Sequence, residues 1–433
     1  MPEIARVSMK ACKGLQGSLQ VQGDKSISHR VAMFGALAHG KTMIEGFLPA
    51  DDCLRTLWAL EAMGVRVDRV DETSFVIQGA GPVGLREPEV VLDLGNSGTG
   101  IRLLLGMVSG NTFFSVLTGD NSLRRRPMER VVDPLRKMGA DITGRQGGRL
   151  APLAVQGRAL HGIEYSLPVP SAQVKSAILF AGFSAEGTTS IIETQPTRDH
   201  TERLLRGFGG RIDTEGTTIR IWGEQRLEGQ HVVVPGDLSS AAFFLVGGSI
   251  VPNSDIFIQN VGINPTRTGI LDALMGMGAD ITLEDQKEIS GELIANIRVR
   301  SASLKGFTLP KEWIPRIIDE IPVLCIAAAC AEGETLIQGA GELRVKESDR
   351  ISAMAEGLRR IGIEIEEFPD GLRVLGKRSI KGGWVESYGD HRVAMSFLIA
   401  GLVAEGEIVV GGTGCIDTSF PKFTPLLKGL MIH

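Results

Sequence analysis

The chain has 433 residues, 43% of them hydrophobic and 22% charged, and its 46 lysines and arginines against 51 aspartates and glutamates leave a formal charge of −5. That length exceeds one ordinary core and predicts two or more domains. The mild acidity argues against a dedicated nucleic-acid binder, no run approaches the roughly 18 apolar residues of a membrane span, and the start MPEIARVSMKACKG has no apolar signal-peptide core.

From Asp24 the chain repeats. DKSISHRVAMFGALAHGKTMIEGF opens with polar residues, continues as a small-residue apolar helix, breaks, and ends as a strand. The same grammar returns from Asn96, Ser171, Asp237, Asp319 and Asp390. A second mark recurs inside the units as MGVRV, MGADI, FGGRI, MGADI and IGIEI. At its glycines, Gly64, Gly139, Gly209, Gly278 and Gly362, a helix should stop and a strand begin. Each unit therefore reads helix–strand–helix–strand–strand. The first helices, such as VLCIAAAC, are apolar nearly all round and should be buried. The second helices, such as RTLWALEAMG, are amphipathic. The sixth unit is cut short at His433, and segment 1–23, with ARVSMK and GSLQVQG, is available to supply its missing strands. Two domains follow: 24–236 with three units, and a discontinuous domain of 1–23 and 237–433 with the other three. A cleft between them is the expected ligand site. Cys12, Cys53, Cys325, Cys330 and Cys415 fall in no CxxC or Cys/His spacing and read as free thiols of a reducing cytoplasm.

LRRRPMER, residues 123–130, puts four arginines into eight residues. A solvated helix face, a nucleic-acid patch and a pocket for a small, strongly anionic substrate all fit such a run. Basic residues also return near helix starts, where the macrodipole disfavours cations. They are Lys25 and Arg30, Arg126 ahead of a first-turn Pro127, Arg198, Arg267, Lys346 and Arg350, and Arg392. Independent surface pairs are one account. A cleft lined for anions is the other, because helix N-termini bind phosphate and added Lys or Arg strengthens this. GNSGTG lacks the GxGxxG spacing of a dinucleotide fold yet suits close backbone approach to an anion. SAQVKS reads as a plain helix start, or as Ser and Gln for substrate hydroxyls. Asp319 in DEIPVL is an N-cap or a proton-transfer group; Glu347 in RVKESDR is a cap, an ion-pair partner or a proton-transfer group.

GDKSISHR, GNSGTGIR, LRRRPMERV, SAQVKSA, RVKESDR and GDHRVAM resemble, in order from residue 24 to about 421, the motifs of the 5-enolpyruvylshikimate-3-phosphate synthase (3-phosphoshikimate 1-carboxyvinyltransferase) family. The resemblance implies an α/β (α+β) fold of two similar domains, each of three βαβαββ repeats in an inside-out α/β barrel, with the active site in the interdomain cleft. It implies transfer of the enolpyruvyl group of phosphoenolpyruvate to the 5-hydroxyl of shikimate-3-phosphate, on the shikimate pathway to chorismate and aromatic amino acids. It implies no metal and no cofactor, small-molecule partners without nucleic acid or membrane, and a cytoplasmic monomer that is a glyphosate target. By the same resemblance, Lys25, Ser26, Arg30, Ser171, Ala172, Gln173, Arg198, Asp319 and Lys346 fall where shikimate-3-phosphate is held. Lys25, Asn96, Gly98, Arg126, Gln173, Arg350 and Arg392 fall where phosphoenolpyruvate sits. Asp319 is placed as base toward the hydroxyl, and Glu347 as proton donor and later acceptor at the methylene, with Lys25 and His391 as helpers or rivals.

SAQVK, RDHTE and NPTR resemble the glyphosate-tolerant class, whereas Gly98 stands where some tolerant members carry Ala. Thr418 stands where many members have Lys, and Arg198 where others have Tyr, implying a different phosphate grip. Arg124, Arg125 and Arg130 take no role from the resemblance. The rival of the same fold, UDP-N-acetylglucosamine 1-carboxyvinyltransferase, lacks GDKS and carries a reactive Cys in the loop matching 119–127, where GDNSLRRRP has none. A polyanion-binding module needs a continuous basic surface interleaved with aromatics, and only 5% of residues here are aromatic.

Overall fold

Six helices rich in small apolar residues organise the computed structural model, which describes residues 5–377 and 379–432. They are α1 (Lys25–Leu37), α2 (Gly98–Ser109), α3 (Ala172–Phe183), α4 (Leu238–Ile250), α5 (Ile321–Cys330) and α6 (His391–Gly401). The polar residue that opens a repeat is usually the N-cap. Asp24, Ser97, Ser171, Asp237 and Asp390 each accept a backbone N–H of the first turn through the side chain. α5 differs: its N-cap is Glu320, whose side chain makes no cap bond, and Pro322 stands in its first turn. Small residues let these helices touch. A Cβ on Gly106 of α2 would lie 2.1 Å from the Ala177 carbonyl oxygen of α3, so only glycine fits. The helix-stopping glycines 64, 139, 209, 278 and 362 have φ between +84° and +105°, the left-handed cap that glycine adopts without strain.

Around the first three helices, the described strands form four-stranded sheets of one recurring order: 231–233, 39–45, 75–80, 66–69; then 92–93, 114–118, 150–156, 141–145; then 164–166, 188–192, 218–222, 212–215. The first pair in each is parallel and the others antiparallel. Strands 92–93 and 164–166 thus enter βαβ crossovers through α2 and α3. Around the last three helices, Arg6–Lys10 pairs antiparallel with 404–411, and Gly14–Gln20 runs parallel to 255–262.

The chain divides into two compact units. The first unit is 23–234 with the turn 289–292; the second is the described part of 1–22, 235–288 and 293–433. Each has its own apolar core. Residues 1–4 and His433, the outer ends of the expected discontinuous domain, lie outside the described residues. The turn 289–292 differs from the sequence expectation, which kept 237–433 whole. Its bonds explain this. The Val233 N–H donates to Ser290 Oγ at 3.0 Å, Arg203 Nη1 to the Gly291 carbonyl at 3.0 Å, and His200 Nδ1 lies 2.6 Å from Glu292 Oε1. A second difference concerns Pro127, which precedes the helix rather than standing in its first turn. That helix is Glu129–Lys137 with Met128 as N-cap, and Met128 is held in place by donating its N–H to the Arg149 carbonyl. Among the described residues no helix is long and apolar enough to cross a membrane.

Candidate active site

In the first unit the helix N-termini gather the basic residues. Lys25, the first residue of α1, has its Nζ 3.0 Å from Asp52 Oδ2. One turn on, buried Arg30 donates from Nη1 to the Ser26 carbonyl at 2.9 Å, from Nε to Thr201 Oγ1 at 2.7 Å and from Nη2 to Ser176 Oγ at 2.7 Å. Ser171 caps α3, accepting the Val174 N–H at 3.4 Å, with Ala172 and Gln173 in the first turn. Arg198 is partly buried in the irregular segment between strand 188–192 and the helix His200–Gly207.

Arg126 alone of the 123–130 arginines is buried. Its Nη1 donates to the Asn96 carbonyl at 3.2 Å, and its Nη2 donates to Asn96 Oδ1 and, at 3.2 Å, to Ser122 Oγ. Arg125 is exposed and Arg124 reaches Asn121 Oδ1. The run is therefore a mixture of a solvated face and one inward guanidinium. Arg102, which the sequence reading left without a role, ties this corner together. Its Nη1 donates to Gln173 Oε1 at 2.6 Å and its Nη2 to the Pro127 carbonyl at 3.1 Å, while Gln173 Nε2 donates to Thr99 Oγ1 at 3.0 Å. The available signal was a single Arg in an otherwise apolar helix, four residues after Gly98.

Gly98 is where these cations meet the backbone. A Cβ there would lie 2.9 Å from Arg102 Nη1 and 3.1 Å from Arg126 Nη1. Gly98→Ala must push both guanidiniums by a few tenths of an ångström. Since a misplacement of ~1 Å costs ~10²-fold, the expected result is a rise of about tenfold or less in KM for an anionic substrate held by this pair, with kcat less affected. Steady-state kinetics would read it, and an unchanged KM would show that neither arginine needs this position.

His29 lies behind the same corner, its Nδ1 2.7 Å from Thr56 Oγ1 and its Nε2 3.3 Å from Ser97 Oγ. Burial, with Lys25 and Arg30 adding to it, lowers its pKa from 6.5 to about 3. The imidazole is therefore neutral and links α1, the helix Asp51–Ala62 and the cap of α2. The unfolded chain takes up a proton below pH 6.5 that the folded chain refuses until about pH 3. Stability should fall as pH drops through that window, at about 1.4 kcal/mol per unit, or about 2 kcal/mol by pH 5. Urea titrations at pH 7 and pH 5 should show this loss in the wild type and lack it in His29→Asn; equal losses would refute the neutral histidine.

In the second unit one guanidinium organises the candidates. Arg350, the first residue of α-helix Arg350–Arg360, has a 1% exposed side chain. Its Nε lies 2.8 Å from Asp390 Oδ2, its Nη2 2.7 Å from Glu347 Oε2 and its Nη1 3.3 Å from Asp319 Oδ1. Burial acts against the charge, but Asp390, Glu347 and Asp319 more than reverse that and raise its pKa. Lys346 Nζ also lies 3.3 Å from Asp319 Oδ1. Arg392 donates from Nη1 to the Asp319 carbonyl at 2.8 Å and lies 3.5 Å from Glu320 Oε1. His391 is buried at the start of α6. Asp319 is thus not the N-cap of α5; its carboxylate faces two cations. Glu347 is an ion-pair partner of Arg350. Asp390 and Glu320 were missed, although both adjoin residues that the sequence marked. Among the described residues no three or more His, Cys, Asp or Glu side chains are grouped to hold a metal ion.

The family model described as EPSP synthase (3-phosphoshikimate 1-carboxyvinyltransferase) matches residues 9–427. A 3-phosphoshikimate 1-carboxyvinyltransferase of Citrifermentans bemidjiense is 54% identical over 424 residues, covering 98% of this chain and 99% of its own. That of Geobacter sulfurreducens is 53% identical over 427 residues, covering 99% of both. A solved structure of EPSP synthase from Acinetobacter baumannii superposes with a TM-score of 0.88 at 48% identity, over 99% of this chain and 98% of that one.

Proposed function

The chain belongs to the EPSP synthase (3-phosphoshikimate 1-carboxyvinyltransferase) family, and from that premise we propose how its residues divide the carboxyvinyl transfer. Shikimate-3-phosphate is held by Lys25, Ser26, Arg30, Ser171, Ala172, Gln173, Arg198 and Lys346. Phosphoenolpyruvate is held by Asn96, Gly98, Arg126, Arg350 and Arg392, with Lys25 and Gln173 serving both. The 5-hydroxyl oxygen attacks the central carbon of phosphoenolpyruvate and gives its proton to Asp319, while the methylene carbon takes a proton from Glu347. Loss of phosphate then returns a methyl proton to Glu347 and restores the double bond.

The observation that carries this division is the Arg350 node, where one guanidinium meets both Glu347 and Asp319. A substrate carboxylate or phosphate that competes for Arg350 loosens its hold on Glu347 and leaves that carboxyl to meet the methylene carbon. Charges fixed before reaction offset the repulsion between two anionic substrates. The protein works as a monomer on this reading, and in the cytoplasm, a compartment that five cysteines without a disulfide suit.

The test is phosphate release. It should depend strictly on shikimate-3-phosphate and survive a metal chelator. Equal activity with UDP-N-acetylglucosamine would defeat the proposal.

A further inference from the structure

Arg198 sits in ETQPTRD, a stretch without regular secondary structure, so backbone ladders do not fix its position. Lys175 supplies what is missing. It lies in α3, two residues after Gln173, and is 1% exposed. Its Nζ is 2.7 Å from Glu202 Oε1, 3.1 Å from Glu193 Oε2 and 3.3 Å from the Thr197 carbonyl, to which it donates. Glu193 then reaches along the loop: its Oε1 accepts the Thr197 N–H at 3.1 Å and also the Thr197 hydroxyl. Glu193 follows strand 188–192, Thr197 immediately precedes Arg198, and Glu202 is in the first turn of the next helix. One ammonium therefore pins α3 and both ends of the segment that carries Arg198.

Stability alone is a poor explanation for such a cluster. Burying an ammonium with two carboxylates is costly, and well-packed apolar side chains often hold a fold as well or better. Burial pushes the Glu193 carboxyl up. Burial also acts against the Lys175 charge, but Glu202 and Glu193 outweigh it and raise the lysine's pKa. The ammonium is thus firmly charged and firmly placed.

We propose that Lys175, through Glu193, Glu202 and Thr197, is a positioning residue that holds Arg198 in place for the phosphate of shikimate-3-phosphate. This rests on the assignment of Arg198 to that phosphate. Lys175 touches neither substrate in this account, so its removal acts on KM for shikimate-3-phosphate rather than on chemistry.

The experiment is a mutant cycle read by steady-state kinetics with each substrate varied and by thermal melting. Lys175→Met/Glu193→Gln/Glu202→Gln neutralises the whole cluster without stranding a charge. Its KM for shikimate-3-phosphate should rise about tenfold, the scale of a lost supporting contact, with kcat and KM for phosphoenolpyruvate within about twofold. In an Arg198→Ala background the same changes should add less than about twofold, because the two act as one unit. If Arg198→Ala raises KM and the cluster's effect multiplies with it, or if the folded neutral variant keeps a wild-type KM, the positioning role is overturned and the phosphate assignment stands. If Arg198→Ala itself leaves KM unchanged, the phosphate assignment fails and takes the proposal with it. Should the neutral variant not fold, Thr197→Val, which removes one hydroxyl bond to Glu193, carries the same readouts in the same cycle.

Discussion

Asp319→Asn should lower kcat by about 10²–10⁴-fold, the usual contribution of a general acid or base, while moving KM for either substrate by only a few-fold. Asparagine keeps the size of the side chain. Its carbonyl still accepts from Lys346 and Arg350, each 3.3 Å from Asp319 Oδ1. It cannot take a proton, so binding and chemistry separate. The site suits a base: the side chain is 14% exposed, open enough to meet a substrate hydroxyl, and not consumed by capping α5. Glu347→Gln should cost a similar factor, since Glu347 is also partly exposed and spends one oxygen on Arg350. Kinetics with both substrates varied would decide. Near-wild-type kcat in either variant would reduce that residue to an ion-pair partner.

The repeats were legible because their signals are local. A left-handed cap demands glycine, so Gly64, Gly139, Gly209, Gly278 and Gly362 mark helix ends wherever the fold is read. Short polar side chains ahead of an apolar run mark helix starts, and Asp24, Ser97, Ser171, Asp237 and Asp390 cap theirs. DEIP shows the limit of this grammar. Two adjacent acids both precede α5, and nothing local says that neither side chain caps it. The pairings that build the site were hidden for another reason. Arg102 meets Gln173 from 71 residues away, Arg350 meets Asp390 from 40, and His200 meets Glu292 from 92. Such contacts follow from how repeats stack, which a single sequence does not encode in any local pattern. The turn 289–292 is hidden on the same ground: its partners Val233, Arg203 and His200 stand 57, 88 and 92 residues away.

Arg350→Met should be the most damaging single change. The guanidinium is 1% exposed and Asp390 is 0% exposed, so methionine of similar reach strands a buried carboxylate. Breaking a buried ion pair from one side costs about 3–5 kcal/mol, a large share of the ~5–15 kcal/mol that holds a typical protein folded. Asp390 would retain the Arg392 N–H at 2.9 Å and the Ser348 hydroxyl at 3.2 Å, which limits the loss without cancelling the charge. Exposed pairs make the contrast. Arg66–Asp68, with side chains 74% and 41% exposed, is worth little and weakens further with salt; the Arg350 contribution should persist at high ionic strength. Two companions separate stability from function. Arg350→Met/Asp390→Asn removes the stranded charge and should recover much of the lost stability, yet remain deficient toward phosphoenolpyruvate. Arg350→Lys keeps a cation but cannot serve three carboxylates with one planar fork, and should fall between the two in stability. Urea unfolding at low and high salt would read all three variants. A cost below about 1 kcal/mol for Arg350→Met, or no recovery on neutralising Asp390, would show that this guanidinium does not hold the second unit's carboxylates together.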